Sequence, residues 1–479
     1  MTHPIDHLSI YPLSLALLID LYELTMAYGY WKLGIMDRKA VFTLFFRRCP
    51  FQGKFAIAAG LQSAIDFINQ FKFTASDLHY LQNLKTHNKK PLFDKKFLDY
   101  ITTLKIHCDI QAVIEGTPVF PYEPLVRVKG SILQAQLLES ALLNIINFQT
   151  LIATKAFRIC MAAEGDEVIE FGLRRAQGID GALSGTRAAF IGGCHATSNV
   201  LAGKLFGIPV KGTHAHSWVM AFNNEEKAFD AYSRVMPHDC IFLIDTYDSI
   251  QGVKKAIAVS NKTRCTMLGV RIDSGNLTQL SIQIRKILDD AGYQNTKIVA
   301  SNELDETIIR DLKKQGAKID IWGVGTHLIT GQGQGALDGV YKLSAMQDTK
   351  GHWVYKMKTS QQPVKSSTPG VLQVRRFFDI KGDSTCDMIY DEMNLPKKVM
   401  LIDPYSNPVV EKSMQSYVDY QDLLIPIFEN GKQVYHSPTL IDIQKNTHLQ
   451  YNTLSSSHSI GLEKNLYKQK KHLMEQLLK

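Results

Sequence analysis

Apolar positions recur at helical spacing over 13–33 and again over 53–71, with a strand-like run at 40–47 between them. The stretch 112–128, punctuated by Pro118, Pro121 and Pro124, predicts paired strands. From 131 the texture changes. An apolar helix begins there through Leu137, Leu138, Leu142, Ile145 and Ile146, and a repeating strand-then-helix rhythm follows. Strand-like runs fall at 167–171, 208–212, 241–244, 267–272, 297–300 and 319–324, and helical patterns fall at 277–291 and 304–314. Strand starts spaced by roughly 25 to 40 residues fit βα units whose strands lie parallel.

The strand ends carry the informative residues. In order, the exits hold Arg174 and Arg175, then 213–217, Asp245, 271–275, Ser301 with Asn302, and 323–326. In a parallel α/β barrel the loops after the strands converge on one face and build the active site there. An open doubly wound sheet gathers its loops in the same way, so the pattern favours the barrel without excluding the sheet. After 345 the chain turns loop-rich, with strand-like pieces at 371–378 and 398–402. It ends in a helical pattern bearing Lys464, Lys468, Lys470, Lys471 and Lys479. These shifts predict three regions: 1–130, a catalytic barrel over 131–345, and 346–479 packed on the N-terminal region and ending in a basic helix.

Composition changes this picture little. The chain has 479 residues, 45% hydrophobic and 21% charged, as ordinary globular proteins do. Its seven cysteines are scattered, with no CxxC pair, and read as reduced thiols of the cytoplasm. The early apolar run is interrupted by Asp20 and Glu23, so neither an export signal nor a membrane anchor is expected. A net charge of +8 suits small anionic substrates or a solvated surface. With no basic stripe interleaved with aromatics, nucleic acid is not an expected partner.

Among chemistry-bearing segments, His214 and His216 lie two apart on a predicted extended backbone. The pair reads either as metal ligands or as structural histidines, and the other strand exits offer no further His and Asp set to complete a metal site. The run Arg271-Ile272-Asp273-Ser274-Gly275 precedes a helix, where a serine hydroxyl and free N–H groups can hold a phosphate. Arg271 can grip a carboxylate or phosphate, and Asp273 a ribose hydroxyl or a magnesium-bound water. Gly323, Gly325 and Thr326 allow close approach of an anion, and Gly192, Gly193 and 197–199 repeat that chemistry upstream. The run 331–335 reads as a loop, and no P-loop sequence occurs. Phe171 with Arg174 and Arg175 suits a flat anionic ring, sandwiched by the phenyl and countered by the guanidinium.

Taken together these segments resemble the nicotinate phosphoribosyltransferase family. The matching stretches include 20–26, 115–125, 151–155, 170–178, 197–199, 212–218, 245–248, 271–275, Ser301-Asn302, 323–326 and 340–343, covering about residues 10–410. The resemblance implies a type II phosphoribosyltransferase: an irregular parallel α/β (TIM-like) barrel plus an α/β sandwich domain built from the N- and C-terminal regions, working as a homodimer with shared active sites. It implies a ring pocket for nicotinic acid from Phe171 and Arg174 of one subunit and Tyr22 of its neighbour, approached by Thr213, Ser217 and Arg271. It further implies that phosphoribosyl pyrophosphate lies against Arg271, Ser274, Gly275, Ser301, Asn302, Gly323, Gly325 and Thr326. His216 matches the family's phosphorylated histidine, with ATP as co-substrate, whereas His214 fills a position the family leaves variable.

Substitution at the anomeric carbon passes through an oxocarbenium-like state. Positive charge on the sugar must be stabilised while pyrophosphate leaves with magnesium. Asp273 is suitably charged for that side and for Mg2+, directly or through water, and Asp245 is placed to orient or charge-balance His216. Two positions depart from the family pattern, Asn276 after Ser-Gly and Ala196 before Thr-Ser-Asn, each beside an expected phosphate or metal position. Other readings stay open: a related enzyme using nicotinamide or quinolinate, or a catalytically silent ligand-binding relative.

Overall fold

The computed structural model describes residues 14–360, 365–396, 399–403, 410–413 and 417–477. The chain divides into two compact units, one built from 14–151 with 336–477 and the other from 152–335. The first residue of the expected 13–33 helix, the start of the expected 398–402 strand and Lys479 lie outside the described residues.

The unit of 152–335 is α/β. Its six-stranded parallel sheet runs in the order Ala196–Thr197, Glu167–Glu170, Ile321–Val324, Lys297–Asn302, Met267–Ile272 and Cys240–Leu243. Buried on both faces, such strands are near-continuous apolar runs, which is why most were readable. Register levels their exits: Glu170 lies opposite Val324, Val324 opposite Asn302, Ala300 opposite Ile272, and Leu243 opposite Arg271. Polar side chains one or two residues further on therefore meet on one rim.

The sheet is a half-barrel, and the expected 208–212 strand is the reason it does not continue. That segment makes one parallel bridge, Thr197 to Val210. Pro209 has no N–H to give, and only its carbonyl joins in, accepting from Thr197 at 3.0 Å. Conversely, Ala196–Thr197 forms a true strand that is too short to show a period.

The other unit carries an antiparallel seven-stranded sheet in the order Trp353–Tyr355, Gly339–Gln347, Lys39–Phe46, Val126–Ser131, Asp109–Ala112, Ile425–Glu429, Lys432–Gln433. A second, mixed sheet of six strands is built from the C-terminal region, with Ser384–Asp391 and Leu454–Glu463 parallel at its centre. Both chain ends thus contribute to one core, including Phe42, Phe67, Phe97, Leu142, Tyr341 and Phe428. Each such side chain stabilises by about 1.5–3 kcal/mol on burial.

The predicted 53–71 helix is shorter, Leu61–Gln70. Its start is set by Gly60 at φ +100, where a Cβ would lie 3.0 Å from the Ile145 carbonyl oxygen. Upstream residues form a turn, Pro50–Gln52, and a strand, Ala56–Ile57, paired to Pro118–Val119. The run 132–162 is long and apolar enough to cross a membrane, yet 61% of its most apolar window is buried, as in a core helix. The basic C-terminal helix, Lys464–Leu477, is docked rather than free, with Leu466 and Lys470 buried.

Candidate functional site

His216 opens a short helix, His216–Met220, at the rim of the parallel sheet. Its Nδ1 lies 3.1 Å from the Thr246 hydroxyl. Its Nε2 faces two carboxylates equally, at 3.9 Å from Asp245 Oδ1 and 3.9 Å from Asp273 Oδ2. Asp245 is buried, and its Oδ2 accepts the Asp273 N–H at 2.8 Å and the Ser274 hydroxyl at 2.7 Å. Its Oδ1 is buried with no hydrogen bond among the described residues. Thr246, rather than Asp245, is thus the side chain within hydrogen-bond distance of the imidazole.

Arg271 projects from the neighbouring strand and gives Nη1 to the Thr213 hydroxyl at 2.5 Å. Burial pulls its pKa below the ordinary value against the pull of Asp273 and Asp245, and its Nε has no partner among the described residues. A buried guanidinium with a spare donor is a strong anion receptor. Between these residues His214 is occupied by the backbone. Its Nδ1 donates to the Ala215 carbonyl at 3.3 Å, and its Nε2 accepts the Leu243 N–H at 3.2 Å. It is a satisfied structural histidine, not a ligand.

On the other side of the rim, the Phe171 ring covers Gly323, where a Cβ would fall 2.5 Å from the ring. The expected anion gap at this glycine is therefore filled by the aromatic, and Gly325 packs 3.2 Å from the Phe171 carbonyl oxygen by the same measure. Arg174 is exposed on the turn Leu173–Arg175. That turn is anchored by buried Glu170, whose carboxylate accepts from Gly172 N–H, Thr186 (3.0 Å) and Thr197 (2.7 Å). Burial raises the pKa of Glu170, offset by those donors. The polar 197–199 segment is spent in the same internal network, with Asn199 capping the helix Val200–Phe206.

Ser274 is committed to Asp245, and the helix Leu277–Asp290 is capped instead by Asn276, which accepts the Gln279 N–H at 3.1 Å. That assigns the departure at 276 a plain structural use. Gly275 has φ +80, and Ser301 donates to Asp273 Oδ1. Asn302 holds φ +137, an uncommon backbone state for a side-chain-bearing residue. Thr326 lies 3.4 Å from Glu303, and His327 reaches Glu303 at 3.0 Å and Asp305 at 3.5 Å.

The structure therefore joins His216, Asp245, Asp273, Ser274 and Ser301 in one contact network, with the Arg271–Thr213 pair linked to it electrostatically through Asp273 and Asp245 and with Phe171 packed at Gly323 on the same rim. Ser217 follows His216 and is exposed. Tyr22 belongs to the other unit, on the helix Leu21–Lys32, and is 45% exposed. Thr246, Glu170 and His327 were not singled out from sequence. Only Thr246 carried a signal, its place directly after Asp245.

Residues 17–147 match the model described as the nicotinate phosphoribosyltransferase N-terminal domain, 167–389 that of the nicotinate phosphoribosyltransferase family, and 372–468 that of its C-terminal domain. The chain is 45% identical over 442 residues to the nicotinate phosphoribosyltransferase of Bacillus subtilis, covering 90% of this chain and 88% of that protein. It is 31% identical over 502 residues to the human nicotinate phosphoribosyltransferase, covering 92% of each. The crystal structure of human nicotinic acid phosphoribosyltransferase aligns with a TM-score of 0.81 at 28% identity, over 95% of this chain and 99% of that one.

Proposed function

This chain belongs to the nicotinate phosphoribosyltransferase family, and on that premise we propose that it joins nicotinate to phosphoribosyl pyrophosphate, driven by ATP through a phosphohistidine at His216. The observation that carries the reading is the single imidazole whose Nε2 faces Asp245 and Asp273 while Nδ1 rests on Thr246.

With Nδ1–H donated to Thr246, the lone pair sits on Nε2, the atom that attacks the γ-phosphorus of ATP as ADP departs. The phosphoryl group adds up to about two negative charges beside Arg271, and water later removes it as phosphate. In the transfer itself the nicotinate ring nitrogen attacks the anomeric carbon and the bond to pyrophosphate breaks. Asp273 stabilises the positive charge that develops on the sugar. Phe171 stacks the pyridine ring, and Arg174 with Arg271, Thr213 and Ser217 meets its carboxylate. Tyr22 of a neighbouring subunit closes the pocket in a homodimer. Gly275, Ser301, Asn302, Gly325 and Thr326 line the phosphoribosyl side.

The unpartnered Asp245 Oδ1 and half-exposed Asp273 are hard oxygen donors that fit magnesium. When bound, the ion would shield the charge of the departing pyrophosphate. We place the enzyme in the cytoplasm on its seven scattered cysteines, which suit a reducing compartment.

The test compares nicotinate, nicotinamide and quinolinate as acceptors, each with phosphoribosyl pyrophosphate, ATP and magnesium. Nicotinate turnover stimulated by ATP is expected. Equal or faster turnover of nicotinamide or quinolinate would overturn the substrate assignment.

A further inference from the structure

The unit of 14–151 with 336–477 holds a cavity of about 390 Å³ that shares no residue with the catalytic cluster. The size lies within the range of small-molecule sites, about 300–1,000 Å³. Three of its residues, Thr117, Ser384 and Arg376, are almost fully buried, at 1%, 2% and 3% exposure. The Arg376 charge is already matched: Nε and Nη2 grip the two oxygens of Asp387 at 2.8 and 2.6 Å, and Nη2 also reaches the Pro118 carbonyl at 2.8 Å. The buried end therefore has no surplus charge for an anion.

Thr117 is different. Its hydroxyl is buried without a hydrogen bond among the described residues and is closed off beneath the cavity floor, so the polar contacts open to an occupant lie elsewhere on the wall. Three side-chain amides line the same space. Asn446 and Gln450 stand four apart on one face of the helix Leu440–Asn452, and Gln421 comes from the strand Asp419–Asp422. Each amide offers a donor and an acceptor together. Phe378, Leu423 and Ile425 add apolar wall.

The cavity has a fixed shape. Gly116, at φ +86, presses the turn that carries Thr117 onto that helix: a Cβ there would lie 2.4 Å from Thr447 Oγ1 and 3.0 Å from the Ile443 carbonyl oxygen.

We propose that this cavity is a binding site for an uncharged nitrogen heterocycle of the adenine nucleoside type. Its base edge would pair with the Asn446, Gln450 and Gln421 amides, and its ring would lie against Phe378 and Leu423. Amide side chains pair with an adenine edge through two parallel hydrogen bonds, and the apolar walls suit the faces of a flat ring.

Calorimetric titration of the full-length chain with adenosine at millimolar concentration tests it, with ribose as control. Saturable binding of one adenosine per chain is expected, unchanged by saturating phosphoribosyl pyrophosphate, and no binding of ribose. The Asn446→Ala, Gln450→Ala double variant should bind about tenfold more weakly. Absence of saturable binding, competition by phosphoribosyl pyrophosphate, or full affinity in the double variant would each overturn the site. None of these outcomes bears on nicotinate turnover, so this proposal and the assigned reaction fail separately.

Discussion

The imidazole of His214 accepts the backbone N–H of Leu243 at 3.2 Å. Leu243 ends the edge strand Cys240–Leu243, whose outer side has no strand neighbour among the described residues, and the ring stands in for one. The segment 210–214 thus spans the open side of the half-barrel, bridging to Thr197 at one edge and to Leu243 at the other. Two residues beyond His214 stands His216, and two beyond Leu243 stands Asp245. The clasp therefore sets the spacing of the imidazole and the carboxylate that face each other across the rim.

This clasp predicts a specific acid sensitivity. Burial, reinforced by the nearby Arg271 and His216 charges, holds the His214 pKa down to about 4 against its bond to Ala215. A histidine with a depressed folded pKa lends stability that is complete above its unfolded value, about 6.5, and lost as pH falls towards the folded one. The span is on the order of 3 kcal/mol. His214→Gln keeps an acceptor and cannot titrate. Urea midpoints measured from pH 7 to pH 4 should fall less in this variant than in the wild-type chain, and equal falls would refute the clasp.

Thr246→Val should leave the fold intact but free the His216 ring to change tautomer and rotate. Supports of this kind are worth roughly 10- to 100-fold. The expected loss is in ATP-stimulated kcat, with KM for nicotinate little changed, and steady-state kinetics at saturating ATP reads it. A variant as active as wild type would show that Thr246 does not orient the ring.

Gly323→Ala puts a methyl group 2.5 Å from an atom of the Phe171 ring. Overpacking of this kind costs about 1–3 kcal/mol. Displacing the ring should raise the KM for nicotinate roughly tenfold, about 1.4 kcal/mol of binding. The KM for phosphoribosyl pyrophosphate should change less. A rise confined to the phosphoribosyl donor would mean that Gly323 serves the anion after all.

His327 Nε2 lies 3.0 Å from Glu303, tying the exit after Ile321–Val324 to the exit after Lys297–Asn302, where Asn302 keeps its φ of +137. His327→Ala releases that tie. Initial-rate assays should show a higher KM for phosphoribosyl pyrophosphate with an unaltered KM for nicotinate, and the opposite split would place His327 elsewhere in the mechanism.

Much of this was legible in the chain itself, for physical reasons that also explain the gaps. Strands such as Cys240–Leu243 are almost wholly buried and show as apolar runs, whereas Ala196–Thr197 is too short to show one. The 208–212 run is apolar enough to read as a strand, but Pro209 denies it a ladder. His214 and His216 are indistinguishable by type and spacing. Only the position of Leu243, far along the chain, makes one structural and leaves the other open. Ser274, expected to hold a phosphate, is bonded to Asp245, and Asn276, noted only as a departure from the family pattern, caps the following helix, because the carboxylate at Asp245 is invisible to local pattern. Glu170 escaped notice because a lone glutamate at a strand end gives no hint of the three donors that converge on it.

The most direct measurement is the mass and acid lability of phosphate on the chain after incubation with ATP and magnesium, with wild type beside His216→Asn and His214→Gln. Wild type and His214→Gln should gain one acid-labile phosphate, while His216→Asn gains none and turns over nicotinate at a rate indifferent to ATP. Phosphate retained on His216→Asn, or ATP stimulation surviving in it, would contradict the account.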